Sequence, residues 1–327
     1  MGEGQQINNP KVSVIVPVYN TEAYVEEAVR SIMNQTLRDI EIIVINDGST
    51  DNSLSVVENL ALQDARISVY SQVNQGPSIT RNQGMQRATG DYLYFMDSDD
   101  VLAAGALEKC YQACESENLD FVFFDADSFS ENNAISLEID YHRSHLFEEG
   151  RVYTGIEMLD TMLQEQMYRA SVCLNLINRD FIKLCRLSFY PEIIHEDELF
   201  TAALYLHARK VSCVHSTFYH RRVREGSIMT NSFSLKNIES YLTIIRQLKS
   251  LPGVNARWSE VVDKLIAYII NPAVYNSKGL PLKIRIKIVR HCTHHKYLKY
   301  IRLKNLTVLL FPFLVTIKSG FKKRGHP

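Results

Sequence analysis

The feature that most constrains this chain is a regular alternation of short apolar runs and amphipathic stretches over residues 11–126. "KVSVIVPVY" (11–19), "IEIIVIND" (40–47), "RISVY" (66–70), "YLYFM" (92–96) and "DFVFFDA" (120–126) have the β-branched and aromatic content of buried strands. Between them, residues 22–34, 53–64, 78–88 and 104–115 carry helix patterns. Thr21 stands where a cap is expected, and Glu22, Glu26 and Glu27 sit near the positive end of the first helix. Repeated strand–helix–strand units predict an α/β fold, a mainly parallel sheet with helices on both faces.

In such sheets ligands bind beyond the carboxyl ends of the strands. Four polar stretches fall there: "PVYN", "NDGSTD", "NQGPSITRN" and "DSDD". The last closes "DYLYFMDSDDVL" (91–102), in which Asp97, Asp99 and Asp100 crowd the end of a segment built for burial. Like charges repel and a buried carboxylate is costly, so these acids either face water at a turn or hold a cation. Asp97-Ser98-Asp99 has the D-x-D spacing that suits a hard divalent cation with open positions for phosphate oxygens. Asp125 and Asp127 repeat the spacing and read as a solvated strand exit. No Walker sequence and no G-x-G-x-x-G fingerprint appears, which leaves a P-loop or dinucleotide site without support.

Further along, residues 127–150 are polar and irregular, and Thr154 with Glu157 forms a capping box for a helix to about Gln166. "ASVCLNLI" (170–177) reads as a strand, "HEDELFTAALYLHA" (195–208) as an amphipathic helix, and "KVSCVH" (210–215) as a late strand. Beyond Phe233 the pattern is helical, with breaks expected at Pro272, Pro281 and Pro312. This divides the chain into residues 1–230 and a basic helical C-terminal region, 231–327.

The net charge of −1 conceals a polarity. Of the 36 Lys and Arg, 14 lie from Lys264 onward, where there is no Asp or Glu; the preceding residues hold 22 basic against 37 acidic side chains. An acid-free tail of this kind points to a membrane or polyanion contact. Its apolar run Leu306–Ile317 is too short for the ~20 residues that span a bilayer and reads as a segment lying in the interface of an anionic membrane. The alternative is a helix packed on the rest of the protein. The six cysteines show no metal-type pairing and read as reduced thiols of a cytoplasmic protein. "MGEGQQINNP" lacks the apolar core of an export signal, and Gln6 stands where a myristoylation sequence has Ser or Thr.

"VSVIVPVYN", "EIIVINDGSTDNS", "GPSITRNQG", "GDYLYFMDSDD" and "HEDELF", in that order and spacing, resemble the nucleotide-sugar glycosyltransferases of family 2 over roughly residues 11–230. The resemblance implies a GT-A (nucleotide-diphospho-sugar transferase) fold and sugar transfer with inversion at the anomeric carbon. It implies that Pro17, Tyr19 and Asn20 hold the nucleotide base and ribose, that Asp47 bonds the uracil, and that Arg81 lies near the base and diphosphate. By the same resemblance Asp97 holds ribose or sugar, Asp99 binds Mn2+ or Mg2+, and Arg224 and Ser227 close over the diphosphate. His220 lies close to a position that some members use as a further metal ligand. Glu196 and Asp197 match the acidic pair whose second member is usually the base.

The chemistry agrees with those roles. A sugar diphosphate leaves with at least two negative charges, which a cation and an Arg stabilise in the transition state. Inversion by one displacement needs a carboxylate to take the acceptor's hydroxyl proton. Asp197 opens a helix, where the dipole favours the ionised form. Bland readings stand beside these: Asp47 and Asp51 as helix caps, Glu196–Glu198 as a first-turn charge pattern, Arg81 and Arg224 as solvated surface residues. The expected partners are a uridine-diphosphate sugar, a glycan or lipid-linked acceptor and an anionic membrane surface, with no nucleic acid. The rival functions are a sugar nucleotidyltransferase, which would need a phosphate loop where "PVYNTEAY" stands, and a catalytically dead glycan-binding or scaffold protein.

Overall fold

A computed structural model describes residues 10–130, 140–223, 233–253 and 255–313. The chain forms two compact units, Met1–Glu192 with Glu196–Glu225, and Ile193–His195 with Gly226–Pro327.

The first unit is built on an eight-stranded sheet of order β3-β2-β1-β4-β7-β6-β8-β5. Strands β1 (Val12–Val18), β2 (Ile40–Asn46), β3 (Ile67–Ser71) and β4 (Tyr92–Phe95) pair in parallel, as the alternating pattern requires. They are linked by helices α1 (Val25–Met33), α2 (Ser53–Ala61) and α3 (Pro77–Arg87). β5 (Val101–Leu102) and α4 (Ala106–Glu117) follow, then β6 (Phe121–Phe129). The Thr154–Glu157 capping box starts α5 (Gly155–Gln164) as expected, whereas α1 begins after Tyr24 without a side-chain cap.

The sheet is more mixed than the sequence pattern predicts. The 170–177 segment is not one strand: Val172–Leu174 form a 3-10 turn and only Asn175–Asn178 enter the sheet, as β7, followed by α6 (Arg179–Cys185). β7 lies between β4 and β6 and runs antiparallel to both. Apolar content reports that a strand is covered, not which way it runs. After α7 (Glu196–His207), the last strand β8 (Val211–Arg222) continues well past the predicted 215. It pairs in parallel with β6 across an irregularity near Asp125 and antiparallel with β5. This extension carries Tyr219 and Arg221 into the region beyond the strand ends.

β1 and β2 are almost wholly buried, and an aromatic cluster closes the core beneath the end of β4. Phe189 and Phe200 stack at 4.1 Å, and both meet Phe95 edge-on. Such rings contribute area plus about 0.5–1.5 kcal/mol per well-placed pair.

The second unit contains α8 (Leu235–Ser250), α9 (Ala256–Asn276), α10 (Leu282–His294) and α11 (Leu303–Leu310). Two expectations are corrected here. α9 runs through Pro272 without ending, because buried residues on both sides of it, Ile269, Ile270, Ala273 and Val274, hold one apolar face together. Part of the run read as an interfacial tail belongs to α11, where Val308 and Leu309 are buried. α11 is tied to α9 by the Asn305 amide, which donates to Asn271 Oδ1 at 2.7 Å, and to α10 by Arg285, which donates to the Leu309 carbonyl. Pro281 and Pro312 do mark helix boundaries. The remainder of that run, from 314 on, lies outside the described residues.

The backbones of α5 and α7 approach closely at Gly155, where a Cβ would lie 2.1 Å from the Tyr205 carbonyl oxygen. Gly155→Ala is therefore expected to destabilise the protein by about 1–3 kcal/mol in urea unfolding. Gly279→Ala, with nothing within 4 Å of its added Cβ, serves as the control and should leave the unfolding midpoint nearly unchanged. Equal midpoints for the two variants would mean that the helices separate without cost.

Candidate functional site

The loops beyond β1, β2 and β4 are stitched into one rim. Asn20, in the left-handed region at φ 50°, accepts from the Thr50 amide at 2.8 Å, and its own amide donates to Ser49 Oγ. Thr21 receives no cap role; its amide donates to Ser53 Oγ and its hydroxyl meets Ser98 Oγ at 3.0 Å. Pro17 lies half-buried within β1, and Tyr19 just beyond it leaves 49% of its surface exposed. A large ring held open at a strand end has a face available for stacking.

Asp47 is buried and caps no helix. Its Oδ1 accepts from Gln72 Nε2 at 2.7 Å and the Gln75 amide at 2.8 Å, and Oδ2 from the Gly76 amide at 2.9 Å. It thus folds the loop after β3 back over the sheet, a role its position in the sequence does not disclose.

The acids after β4 are not equivalent. Asp97 is 40% exposed and pairs with Arg81 Nη2 at 2.9 Å. Asp100 is buried and accepts from the Tyr219 hydroxyl at 2.6 Å and the Arg222 amide at 2.7 Å. Burial, with Asp99 and Asp97 nearby, pushes its carboxyl up to about 8, so it is largely protonated at neutral pH. Asp99 is half-buried, and its carbonyl accepts from Arg222 Nε at 2.9 Å. Crowding is relieved by a different device for Asp97 than for Asp100: an ion pair for the first, proton retention for the second.

Arg81 is a buried residue of α3, not a surface one. Besides Asp97 it binds Glu196 Oε1 through Nη1 at 2.6 Å, with the Phe189 ring 5.4 Å from its guanidinium carbon. Burial alone would disfavour the charge, but Asp97 and Glu196 outweigh it and hold the guanidinium above its usual range.

Asp197, next along α7, lines a cavity with Arg81, Asp97, Asp100, Tyr141, Tyr219 and Arg221, floored by 170–174. The helix start was expected to keep Asp197 ionised. Burial and the adjacent Glu196 dominate instead and raise its carboxyl to about 7, with Arg81 pulling the other way. The buried neighbour Glu198 is raised to about 8 by burial and by Asp197. A carboxylate poised near neutrality can both accept and return a proton there. Sequence reasoning missed Tyr141, Tyr219 and Arg221. The strand-prone residues Thr217, Phe218 and Tyr219 in "STFYHRR" are the signal that could have extended β8 to the last two.

Among the described residues no group of three or more His, Cys, Asp or Glu is arranged to hold a metal. His220 lies between Tyr219 and Arg221 on β8, so strand alternation turns it to the opposite face from these two cavity residues. Neither it nor Asp99 lines the cavity with Asp97, Asp100 and Asp197, and its register partner on β5 is Val101, two residues after Asp99. A closed protein cage is absent from these residues, but Asp99 and Asp97 are hard oxygen donors of the kind a cation shared with phosphate and water requires. Arg224 and Ser227 lie outside the described residues.

Comparison with known proteins bears on the family and the fold. The sequence model of glycosyl transferase family 2 matches residues 13–176. An uncharacterized glycosyltransferase of Haemophilus influenzae is 33% identical over 232 residues, covering 71% of this chain and 86% of its own length. The GalNAc(5)-diNAcBac-PP-undecaprenol beta-1,3-glucosyltransferase of Campylobacter jejuni is 45% identical over 105 residues, 32% of this chain and 34% of its own length. Among solved structures, S. aureus TarS 1–349 in complex with UDP-GlcNAc aligns with a TM-score of 0.68 at 20% identity, covering 94% of this chain and 92% of that one. That likeness is one of fold.

Proposed function

This chain belongs to glycosyltransferase family 2 and has a GT-A fold, and on that premise we propose that it is an inverting enzyme using a uridine-diphosphate sugar. The acceptor is a hydroxyl of a glycan or lipid-linked precursor in surface polysaccharide synthesis. The observation that carries this reading is Asp197, poised near neutral pH in the cavity that also holds the Arg81–Asp97 pair. The UDP-GlcNAc bound to TarS supports the choice of nucleotide, and the undecaprenol-linked glycan in the Campylobacter relative's name supports the class of acceptor. Membership of this family tells against a sugar nucleotidyltransferase, and an intact Asp197 tells against a dead scaffold.

In this reading Pro17, Tyr19 and Asn20 hold the base and ribose. Asp47 has one of its roughly four lone-pair sites left for the uracil, the other three being used by the loop after β3. Asp97 holds sugar or ribose from its place beside Arg81, and Arg224 and Ser227 close over the diphosphate. A divalent cation, Mn2+ or Mg2+, held by Asp99, donor phosphate oxygens and His220 as a further ligand, would supply Lewis-acid stabilisation of the leaving group. Arg81 adds fixed positive charge in the cavity, and Glu196 fixes Arg81 rather than the acceptor. Asp197 takes the acceptor's hydroxyl proton as that oxygen attacks the anomeric carbon. The bond from that carbon to the phosphate oxygen breaks, and its electron pair leaves with the nucleotide diphosphate.

Asp197→Asn keeps the shape but accepts no proton, so kcat should fall by about 10²–10⁴ while donor affinity barely changes. The wild-type rate should drop as pH falls below about 7, because protonation removes the base, and should level off above it. If Glu196→Gln is instead the crippling change, the two acids exchange roles; if neither slows turnover, the mechanism fails.

Asp99→Asn should weaken metal-dependent donor binding by roughly tenfold or more, comparable to losses from altered metal sites, with the fold retained. Turnover at limiting Mn2+, measured against wild type, is the check, and equal rates would remove Asp99 from the metal site.

We place the protein in the cytoplasm at the inner face of the membrane, contacting anionic lipid through its C-terminal tail. No helix among the described residues is long and apolar enough to cross a membrane. The acid-free region from Lys264 ends in Lys318, Lys322, Lys323 and Arg324, and each basic residue near an anionic surface adds about 1 kcal/mol. Because α11 is packed within its unit, the informative truncation removes 314–327 only. Sedimentation with anionic vesicles should be lost in that variant and weakened by salt in the full chain. Equal sedimentation of both would refute the contact.

A further inference from the structure

The arginines around the cavity differ in how their charge is met. Arg81 binds two carboxylates. Arg222 pairs with Glu27, donates to the Asp99 carbonyl and lies over the Tyr24 and Phe129 rings. Arg221, one residue earlier and on the other face of β8, lines the cavity but makes no ion pair among the described residues. It donates through Nη1 to the Tyr141 hydroxyl, with that ring 5.6 Å from its guanidinium carbon. Tyr141 is itself buried, so the contact fixes where the guanidinium points.

Enclosure disfavours the Arg221 charge, but its surroundings, Tyr141 foremost with the Asp100 and Asp97 carboxyls farther off, hold the guanidinium above its usual range. Of those carboxyls, Asp97 is engaged by Arg81, and Asp100 by Tyr219 and the Arg222 amide. A guanidinium held in a partly enclosed cavity, with unused donors and no directly bound anion, is a receptor for one. Arg presents a planar fork that matches carboxylate and phosphate oxygens, which Lys does not.

We propose that Arg221 is the anion receptor of this cavity, its guanidinium, fixed by Tyr141, binding a phosphate or carboxylate oxygen of the substrate beside Asp197. This rests on the glycosyltransferase reading and deepens it. A phosphate oxygen would come from the donor's diphosphate; a carboxylate would make the enzyme selective for a uronic-acid sugar. Bound there, the anion is oriented by two elements of the same unit, β8 and the segment carrying Tyr141.

The test is calorimetric titration of UDP, UDP-glucose and UDP-glucuronate, with Mn2+, into full-length wild type, Arg221→Gln and Arg221→Lys. Loss of a charge-assisted bond should weaken binding by roughly 10- to 100-fold in Arg221→Gln, with partial recovery in Arg221→Lys. If the anion is phosphate, all three ligands weaken alike. If it is a carboxylate, UDP-glucuronate alone weakens. Unchanged affinities in Arg221→Gln overturn the proposal. Should Arg221→Gln fail to fold, Arg221→Lys decides: native-like affinity for every ligand, with no loss from the missing fork, overturns it. A wild-type protein that binds none of the three would instead sink the uridine-diphosphate donor reading.

Discussion

The guanidinium of Arg81 joins Asp97, at the end of β4, to Glu196, at the start of α7, positions 16 and 115 residues away along the chain. The parallel half of the sheet, α3 and the late acidic helix α7 therefore share one charge. Removing one partner of a buried ion pair costs ~3–5 kcal/mol, and here the exposure of Asp97 reduces that figure. Through Arg81, Glu196 and Asp97 each have a charged partner within 2.9 Å. Among the described residues Asp197 has no direct counter-ion, and burial, with Glu196 beside it, raises its proton affinity.

The same separation of roles runs through the cluster after β4. A carboxylate ending a buried strand has three ways to survive: find a cation, keep its proton or face water. Asp97 takes the first and Asp100 the second. Ser98 turns inward to Thr21, so the strand end is anchored to the loop after β1. Asp100 anchors it to β8 through Tyr219 and the Arg222 amide. The motif is thus a brace between loops, and this brace holds Asp99 at the strand end.

Much of the first unit can be read from periodicity. β1 to β4 and α1 to α3 appear where runs such as "VSVIVPV" and "IEIIVIN" put them, since a strand covered on both faces must be continuously apolar. The antiparallel insertion of β7 cannot be read this way, because four residues, "NLIN", carry no directional information. Nor can the passage of α9 through Pro272: local propensity says stop, and a long buried face overrides it. What covers the apolar run of the tail is hidden for a similar reason. An apolar run beside basic residues looks alike whether its cover is lipid or, as for Val308 and Leu309, another helix.

The sequence by itself determined the strand–helix order, the crevice at the strand ends and the residue types gathered there, because side-chain period and turn chemistry are local properties. It also determined which acids stand at that crevice. Tertiary structure alone decided what each acid does. The raised proton affinity of Asp197, the bracing by Asp100 and the loop clamp at Asp47 depend on burial and on partners up to 122 residues distant. Proton affinity is set by the medium and charges within a few ångströms, and only the folded chain brings those together.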